Sequence, residues 1–368
     1  MEQNSKIAII LGTKAELIKC MPLMLELQKQ KKDYYFIHTG QHPLGEACRE
    51  FGIKSPDFIL TEEPKLSTKF WSKFNKNSLL WFLKIISKIK KLISKLKPGY
   101  VLYHGDTMST AAAAIASSKL FNPSKRWKNV HLESGLRSGN LLEPFPEEIS
   151  RKISDYLSDI LLVASELSEE NLSHYKNKKL IINVGNTIVD SASIIYQKDK
   201  KKYKRINEPY VLINIHRHES LNNESRMRKI IEIIKSVKIK AIWPLHDNTK
   251  SFLEKYNLMS SLQESKNFNI IPLMNYSEFI FLMANCKYLI ADGGSIQEES
   301  LIFRKPCIIL RETTERQEGL KTGINFLTMD IEKGKKIIEQ LEEGIEIKDF
   351  KNPYGEVGVS KKILEILK

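Results

Sequence analysis

Short, continuously apolar runs recur along this chain, each followed by a polar or glycine turn and then by residues with helical spacing. In the first half they are Ile7 to Leu11, Tyr34 to Ile37, Tyr100 to Tyr103, Val130 to Leu132 and Ile160 to Val163. In the second half they are Tyr210 to Ile215, Ala241 to Trp243, Phe268 to Ile271, Tyr288 to Ala291 and Cys307 to Leu310. Strands that are apolar throughout are buried on both faces, and their alternation with helices builds parallel sheets of βαβ units. The runs are too many for one comfortable doubly wound sheet, and the set divides near Val184-Gly185-Asn186. The reading is α/β: two Rossmann-like domains, 1–184 and 185–352, with parallel sheets facing a central cleft. In open α/β sheets ligands bind beyond the C-terminal ends of the strands. The chemistry is therefore sought in the turns that follow each run.

Composition narrows the class. Across 368 residues, 42% are hydrophobic and 28% charged, which excludes a disordered, collagenous or low-complexity chain. No apolar run approaches the roughly 20 residues of a membrane span. The opening Met1-Glu2-Gln3-Asn4-Ser5 lacks the features of a secretory leader, and Cys20, Cys48, Cys286 and Cys307 have neither metal-ligand nor disulfide-framework spacing. The expectation is a cytoplasmic protein with no stable membrane insertion. The formal charge is +14, with a lysine-rich stretch from Lys84 to Lys97. Such a surplus attracts polyanions. With no nucleic-acid-binding motif beside it, the surplus reads as compositional bias and no nucleic-acid partner is expected. From Leu79 to Leu96, apolar Leu79, Phe82, Leu83, Ile86, Ile89, Ile93 and Leu96 oppose Lys84, Lys88, Lys91 and Lys95. This spacing predicts an amphipathic helix packed on its own sheet, with a basic membrane-surface helix as the alternative.

Unusual polar residues collect where the strands end. The first run leads into Gly12-Thr13-Lys14-Ala15-Glu16 and then Lys19, the second into Thr39-Gly40-Gln41-His42, and the third into His104-Gly105-Asp106-Thr107. The fourth carries His131-Leu132-Glu133-Ser134-Gly135-Leu136-Arg137, followed by Glu143-Pro144-Phe145-Pro146-Glu147-Glu148 and Arg151. Carboxylates sharing a site have their proton affinities pushed apart, which suits one as acid and another as base. In the second half, His216-Arg217-His218-Glu219 and His246-Asp247-Asn248 follow strands. Asp292-Gly293-Gly294-Ser295 then opens a helix, a phosphate cradle of backbone N–H groups, with Glu299 about two turns on where it could reach a ribose diol. Arg311 to Arg316 follows the last run. No His or Cys pair has metal spacing, and no serine sits on a nucleophile elbow.

In this order the motifs resemble the non-hydrolysing UDP-N-acetylglucosamine 2-epimerase family, from Lys6 to Gly355. The family's G-T-R-P-E is matched by Gly12 to Glu16, H-G-D-T by His104 to Thr107 and H-V-E-A-G-L-R by His131 to Arg137. P-x-P-E-E is matched by Pro144 to Glu148, H-R-x-E by His216 to Glu219 and R-D-T-T-E-R by Arg311 to Arg316. The resemblance implies a GT-B fold whose C-terminal helix, within 353–368, returns to the first domain, and a homodimer. It also implies inversion at carbon 2 of a UDP-linked N-acetyl amino sugar, by anti elimination of UDP and re-addition, supplying surface polysaccharide precursors. No metal or other cofactor is implied. Asp106, Glu133 and Glu147 match the family's catalytic carboxylates, and which of them abstracts the proton stays open. His216 matches the histidine near the diphosphate. Gly293, Gly294 and Ser295 would bind phosphate and Glu299 the ribose, while Lys14, Lys19, Arg137, His246 and Arg311 would contact the nucleotide sugar.

Three features depart from the family pattern. Lys14 and Ala15 replace Arg and Pro, which keeps a charge but loses a planar fork. The phosphate loop reads Asp-Gly-Gly-Ser where the family usually has Asp-Ser-Gly-Gly. At the family's second, activating sugar site, Leu44 and Ser67 stand in place of glutamines, so simple hyperbolic kinetics are expected. Two competing activities remain: a GT-B glycosyltransferase, which has no need of three first-domain carboxylates, and a hydrolysing 2-epimerase that releases N-acetylmannosamine.

Overall fold

The computed structural model describes residues 6–62, 76–139 and 146–368. The chain forms two compact units, Met1–Ser191 with Pro353–Lys368 and Ala192–Asn352. The division falls inside the helix Ile188–Asp199, slightly beyond the expected boundary at Val184-Gly185.

Unit 1 holds seven parallel strands: β1 (Ile7–Leu11), β2 (Tyr34–His38), β3 (Phe58–Ile59), β4 (Tyr100–His104), β5 (Lys128–Ser134), β6 (Ile160–Val163) and β7 (Leu180–Asn183). Their order is β3-β2-β1-β4-β5-β6-β7. Every residue of β1 and of β6 is buried, as continuous apolar runs require. β3 and β7, absent from the sequence reading, are the sheet's edges, β3 only two residues long and β7 with no fully buried residue. β3 is too short to show an apolar run, while β7 carries one, Leu180 to Ile182, that the sequence reading did not use.

The amphipathic helix spans Lys76–Leu96 and packs on unit 1. Its buried stripe is Ile85, Ile89 and Ile93, with Phe82, Ile86, Leu92 and Leu96 partly covered. Leu79 and Leu83, expected on the inner face, are instead exposed, as is Leu80. The stripe follows the four-residue row through Ile85, a residue left out of the expected face. Lys88 sends its ammonium to the carbonyl of Leu60, so the helix's cations also tie it to its own unit. At the C-terminus the helix Val359–Ile366 packs on the helix Lys14–Lys29. Asp190 satisfies its first N–H groups, accepting from Gly358 N (2.6 Å) and Ser360 N (2.7 Å).

Unit 2 holds six parallel strands: β8 (Tyr210–Asn214), β9 (Lys240–Leu245), β10 (Phe268–Pro272), β11 (Tyr288–Ala291), β12 (Cys307–Ile309) and β13 (Asn325–Leu327). Their order is β10-β9-β8-β11-β12-β13. The three-residue β13 is the other strand the sequence reading missed. Separate apolar clusters cover the two faces of this sheet. In each unit the strand order reverses once, between β1 and β4 and between β8 and β11. Turns at such a reversal splay apart and leave room for a ligand. Gly12-Thr13 and Gly105-Asp106 flank the first, His216 and Asp292-Gly293-Gly294-Ser295 the second. Among the described residues no helix is long and apolar enough to cross a membrane.

Candidate active site

The turn after β1 is built around Glu16. Thr13 caps the helix Lys14–Lys29, and Glu16 closes a capping box. The Glu16 carboxylate accepts from Gly12 N (3.0 Å) and Thr13 N (2.7 Å), and from the hydroxyls of Thr107 (2.8 Å) and Thr110 (2.9 Å). It thereby ties the turn after β1 to the turn after β4. Burial raises its pKa, against the pull of these donors. Gly12 is required by close approach, since a Cβ there would lie 1.9 Å from Ser109 Oγ.

One helical turn on, Lys19 is buried and forms an ion pair with Glu133 Oε2, each side chain only 8% exposed. Glu133 sits at a register irregularity in β5, between Leu132 and Ser134, with φ +60°. A left-handed conformation at a residue other than glycine is uncommon and costs of order 1–3 kcal/mol. The same Oε2 accepts from Asn186 Nδ2 at 2.9 Å, and His104 Nε2 lies 3.8 Å away. Desolvation lowers the pKa of His104 to about 4, against the field of Glu133, so its ring is neutral at physiological pH.

Asp106 follows Gly105, whose φ of +70° aims the turn. Arg151 pairs with Asp106 and donates to Glu148 Oε2 at 2.9 Å. Gly105 is held from behind, because His131 Nε2 donates to its carbonyl (2.7 Å) while Nδ1 meets Asp155 Oδ1 (2.7 Å). Burial alone would raise the pKa of Asp155, but His131 and Arg137 hold it below the usual carboxylate range. Arg137 gives Nη2 to Asp155 Oδ2 (2.6 Å) and Nη1 to Leu136 O (2.8 Å). Glu147 is the first residue of the helix Glu147–Leu157. Pro144, Glu143 and Ser67 lie outside the described residues.

In unit 2, His216 N and Arg217 N both donate to the buried Asp292 carboxylate at 3.0 Å. His216 Nδ1 donates to Asn214 Oδ1 (2.7 Å), and its ring lies 5.0 Å from that of His246. Burial, and then His216, lower the pKa of His246. The helix Gly294–Ile302 begins at the end of β11 with Gly293 as its extended N-cap. A Cβ on Gly293 would stand 3.2 Å from the His216 ring, so the loop and the imidazole form one surface. Glu299 is buried and accepts from the Tyr276 hydroxyl at 2.6 Å. Arg311 Nη1 donates to Glu315 Oε2 at 3.0 Å.

The structure thus gathers Lys19, Glu133 and His104 in unit 1, with Asp106 on the adjoining turn, and His216, His246, Gly293 and Gly294 in unit 2. Lys14 stands apart from the Glu133 cluster, half-exposed and 4.0 Å from Glu50 Oε2. Leu44, placed by the sequence at the activating site, is fully buried in the core. Asn186 was read only as part of a domain boundary, and Glu16, Arg151, Asp155 and Tyr276 carried no assigned role. A Gly-Asn pair after an apolar run was the available signal for Asn186. Among the described residues no cluster of His, Cys, Asp and Glu is arranged to hold a metal ion.

Comparison with known proteins places this geometry in a lineage. The profile of the family described as UDP-N-acetylglucosamine 2-epimerase matches residues 25–368. A Methanocaldococcus jannaschii protein named UDP-N-acetylglucosamine 2-epimerase is 33% identical, with 98% of each chain covered. A Pseudomonas aeruginosa UDP-2,3-diacetamido-2,3-dideoxy-D-glucuronate 2-epimerase is 30% identical, with 88% of each covered. A crystal structure of the Methanocaldococcus jannaschii UDP-GlcNAc 2-epimerase in complex with UDP-GlcNAc and UDP superimposes with a TM-score of 0.80 at 32% identity, covering 98% of this chain and 99% of that one. Two Rossmann-like units of the GT-B type, a match over almost the whole length and the ordered strand-end motifs agree, and the chain belongs to the UDP-N-acetylglucosamine 2-epimerase family.

Proposed function

We propose that this protein is a non-hydrolysing epimerase that interconverts UDP-N-acetylglucosamine and UDP-N-acetylmannosamine. The observation that carries the reading is the pair of carboxylates presented at the ends of neighbouring strands, Glu133 paired with Lys19 and Asp106 paired with Arg151. A base removes the proton from carbon 2, the bond between carbon 1 and the diphosphate oxygen breaks, and UDP leaves with that electron pair. The product of this anti elimination is a 2-acetamidoglucal. A proton then returns to the opposite face of carbon 2, and the UDP oxygen re-forms its bond to carbon 1. The sequence is redox-neutral and returns every atom, so it calls for no electron acceptor.

The base and the acid are drawn from Asp106, Glu133 and Glu147. Lys19 and Arg151 hold their partner carboxylates in place by charge-assisted contacts. The departing diphosphate carries the charge that develops, and the N–H groups of the helix opening at Gly293-Gly294-Ser295 suit it, with His216 beside them. Arg311 and His246 complete the anion-binding surface, Glu299 accepts from the ribose hydroxyls, and Lys14 and Arg137 contact the nucleotide sugar. The working form is a cytoplasmic homodimer supplying a sugar donor for surface polysaccharide. Exposed Leu79, Leu80, Leu83, Ile149 and Tyr156 on the helices Lys76–Leu96 and Glu147–Leu157 support self-association, and four free, buried cysteines suit a reducing compartment.

Incubation with UDP-N-acetylglucosamine in deuterated water, followed by NMR, tests the reading. Deuterium at carbon 2 of a sugar still linked to UDP is the expected result. Release of free sugar would identify a hydrolysing enzyme, and an inert donor would point to a transferase.

A further inference from the structure

We propose that Asn186 is a positioning residue for the reaction: its amide fixes the rotamer of Glu133 and, with Lys19, keeps that carboxylate ionised. The inference rests on the reading of Glu133 as a proton-handling group.

Glu133 starts from an awkward position, at φ +60° in an irregular stretch of β5. Nothing in the strand ladder dictates where such a side chain points, so its direction must come from its contacts. Two of them meet the same oxygen, Oε2: the Lys19 ammonium and Asn186 Nδ2 at 2.9 Å. Lys19 is a single charge on a flexible stem and supplies attraction without much direction. Asn186 supplies direction. Its Oδ1 accepts from Ile188 N (3.0 Å), so the amide is oriented and Nδ2 is the donor toward Glu133. The backbone of Asn186 is also pinned, its N–H donating to the carbonyl of Tyr354 at 2.9 Å. Tyr354 is fully buried, and a Cβ on the preceding Gly185 (φ +89°) would come within 2.8 Å of its carbonyl oxygen. The crossover after β7 and the returning C-terminal segment thus lock together, and the lock ends on a catalytic carboxylate. The chain leaves unit 1 just beyond, after Ser191, and re-enters it at Pro353.

Exchange of the donor for an acceptor separates positioning from folding. Asn186→Asp is isosteric and still accepts from Ile188 N, but it turns a carboxylate oxygen toward Glu133 Oε2. Besides the introduced carboxylate, the charged or titratable groups facing Glu133 among the described residues include Lys19, His104 and the buried thiol of Cys20, which burial keeps neutral. Two adjacent carboxylates share a proton, so one of them titrates upward. The acidic limb of the kcat–pH profile should move to higher pH by about one unit or more. In Asn186→Ala, kcat should fall roughly 10- to 150-fold, the loss expected for a hydrogen bond to a charged group, with KM within about twofold. The diphosphate is proposed to bind to unit 2, so affinity is insulated from this change. Circular dichroism and thermal unfolding of both variants check the fold, and the alanine variant decides the matter if the aspartate variant does not fold. A kcat–pH profile in Asn186→Asp that superimposes on wild type, or wild-type kcat in Asn186→Ala, overturns the inference while leaving the reading of Glu133 intact. Glu133→Gln is measured in parallel, and near-normal turnover there overturns that reading and this inference together.

Discussion

Replacement of Lys19 by methionine is the sharpest perturbation of unit 1, because it keeps the volume of the side chain and removes only its charge. Lys19 and Glu133 are each 8% exposed as side chains, so neither charge is well solvated once its partner is gone. Removal of one member of a buried pair costs roughly 3–5 kcal/mol, mostly the penalty of the charge left behind. For a unit the size of Met1–Ser191 with Pro353–Lys368, each kcal/mol moves Tm by about 2–4 °C, so Lys19→Met should lower it by roughly 6–20 °C. The double variant Lys19→Met/Glu133→Gln removes the stranded charge while Asn186 can still meet the new amide. It should recover all but about 1–2 kcal/mol of the stability. Urea and thermal unfolding followed by tryptophan fluorescence read this well, since among the described residues Trp81 and Trp127 lie in unit 1 and Trp243 in unit 2. Catalysis should respond as well: without the ammonium, Glu133 takes up a proton more readily, and the acidic limb of the kcat profile moves to higher pH. A single variant as stable as wild type, or a double variant whose loss equals the sum of the singles, would show that the pair does not act as a unit.

Three further outcomes follow from the same geometry. His104 titrates at about 4 in the fold and at about 6.5 when unfolded. Below 6.5 the unfolded chain therefore binds the proton more tightly, and stability is lost as pH falls from 6.5 to about 4. The loss is roughly 3 kcal/mol, and His104→Gln should flatten that part of a urea-stability curve against pH. Asp106→Asn should lower turnover by roughly 10²–10⁴-fold, and near-normal steady-state rates would remove Asp106 from the chemistry. Gly294→Asp places a carboxylate at the helix start and a Cβ 2.8 Å from Arg316 Nη1, so calorimetry should find UDP binding weakened at least tenfold, whereas wild-type affinity would move the phosphate site elsewhere.

Much of the fold was legible because its central strands are buried on both faces. β1, β6, β8 and β11 announce themselves as unbroken apolar runs, and the polar turns after β1, β4, β8 and β11 flank the two strand reversals. β3 and β13 were invisible for the opposite reason, being two and three residues long, whereas β7 carries an apolar run, Leu180 to Ile182, that the sequence reading passed over. The inner face of the helix Lys76–Leu96 was misjudged because several apolar rows compete on one surface, and only packing chooses among them. Residue types pointed to Glu133 and Lys19 separately, but not to their pairing, which joins a strand end to a helix distant in sequence. The irregularity that turns Glu133 out of β5 leaves no periodic trace, and Asn186 gains its meaning only from the Tyr354 segment returning beside it.

The central claim is that the bond between carbon 1 and the diphosphate breaks during every inversion at carbon 2. Positional isotope exchange tests it directly, with UDP-N-acetylglucosamine carrying oxygen-18 in the bridge between carbon 1 and the β-phosphorus. If UDP is eliminated and re-added, rotation of the freed β-phosphate scrambles the label into non-bridging positions while deuterium enters carbon 2 from deuterated water. Phosphorus-31 NMR of the recovered substrate should show that scrambling, and the same sample should contain the manno epimer. Deuterium at carbon 2 with the oxygen-18 still wholly in the bridge would contradict the account, because inversion would then proceed without cleavage of the sugar–phosphate bond.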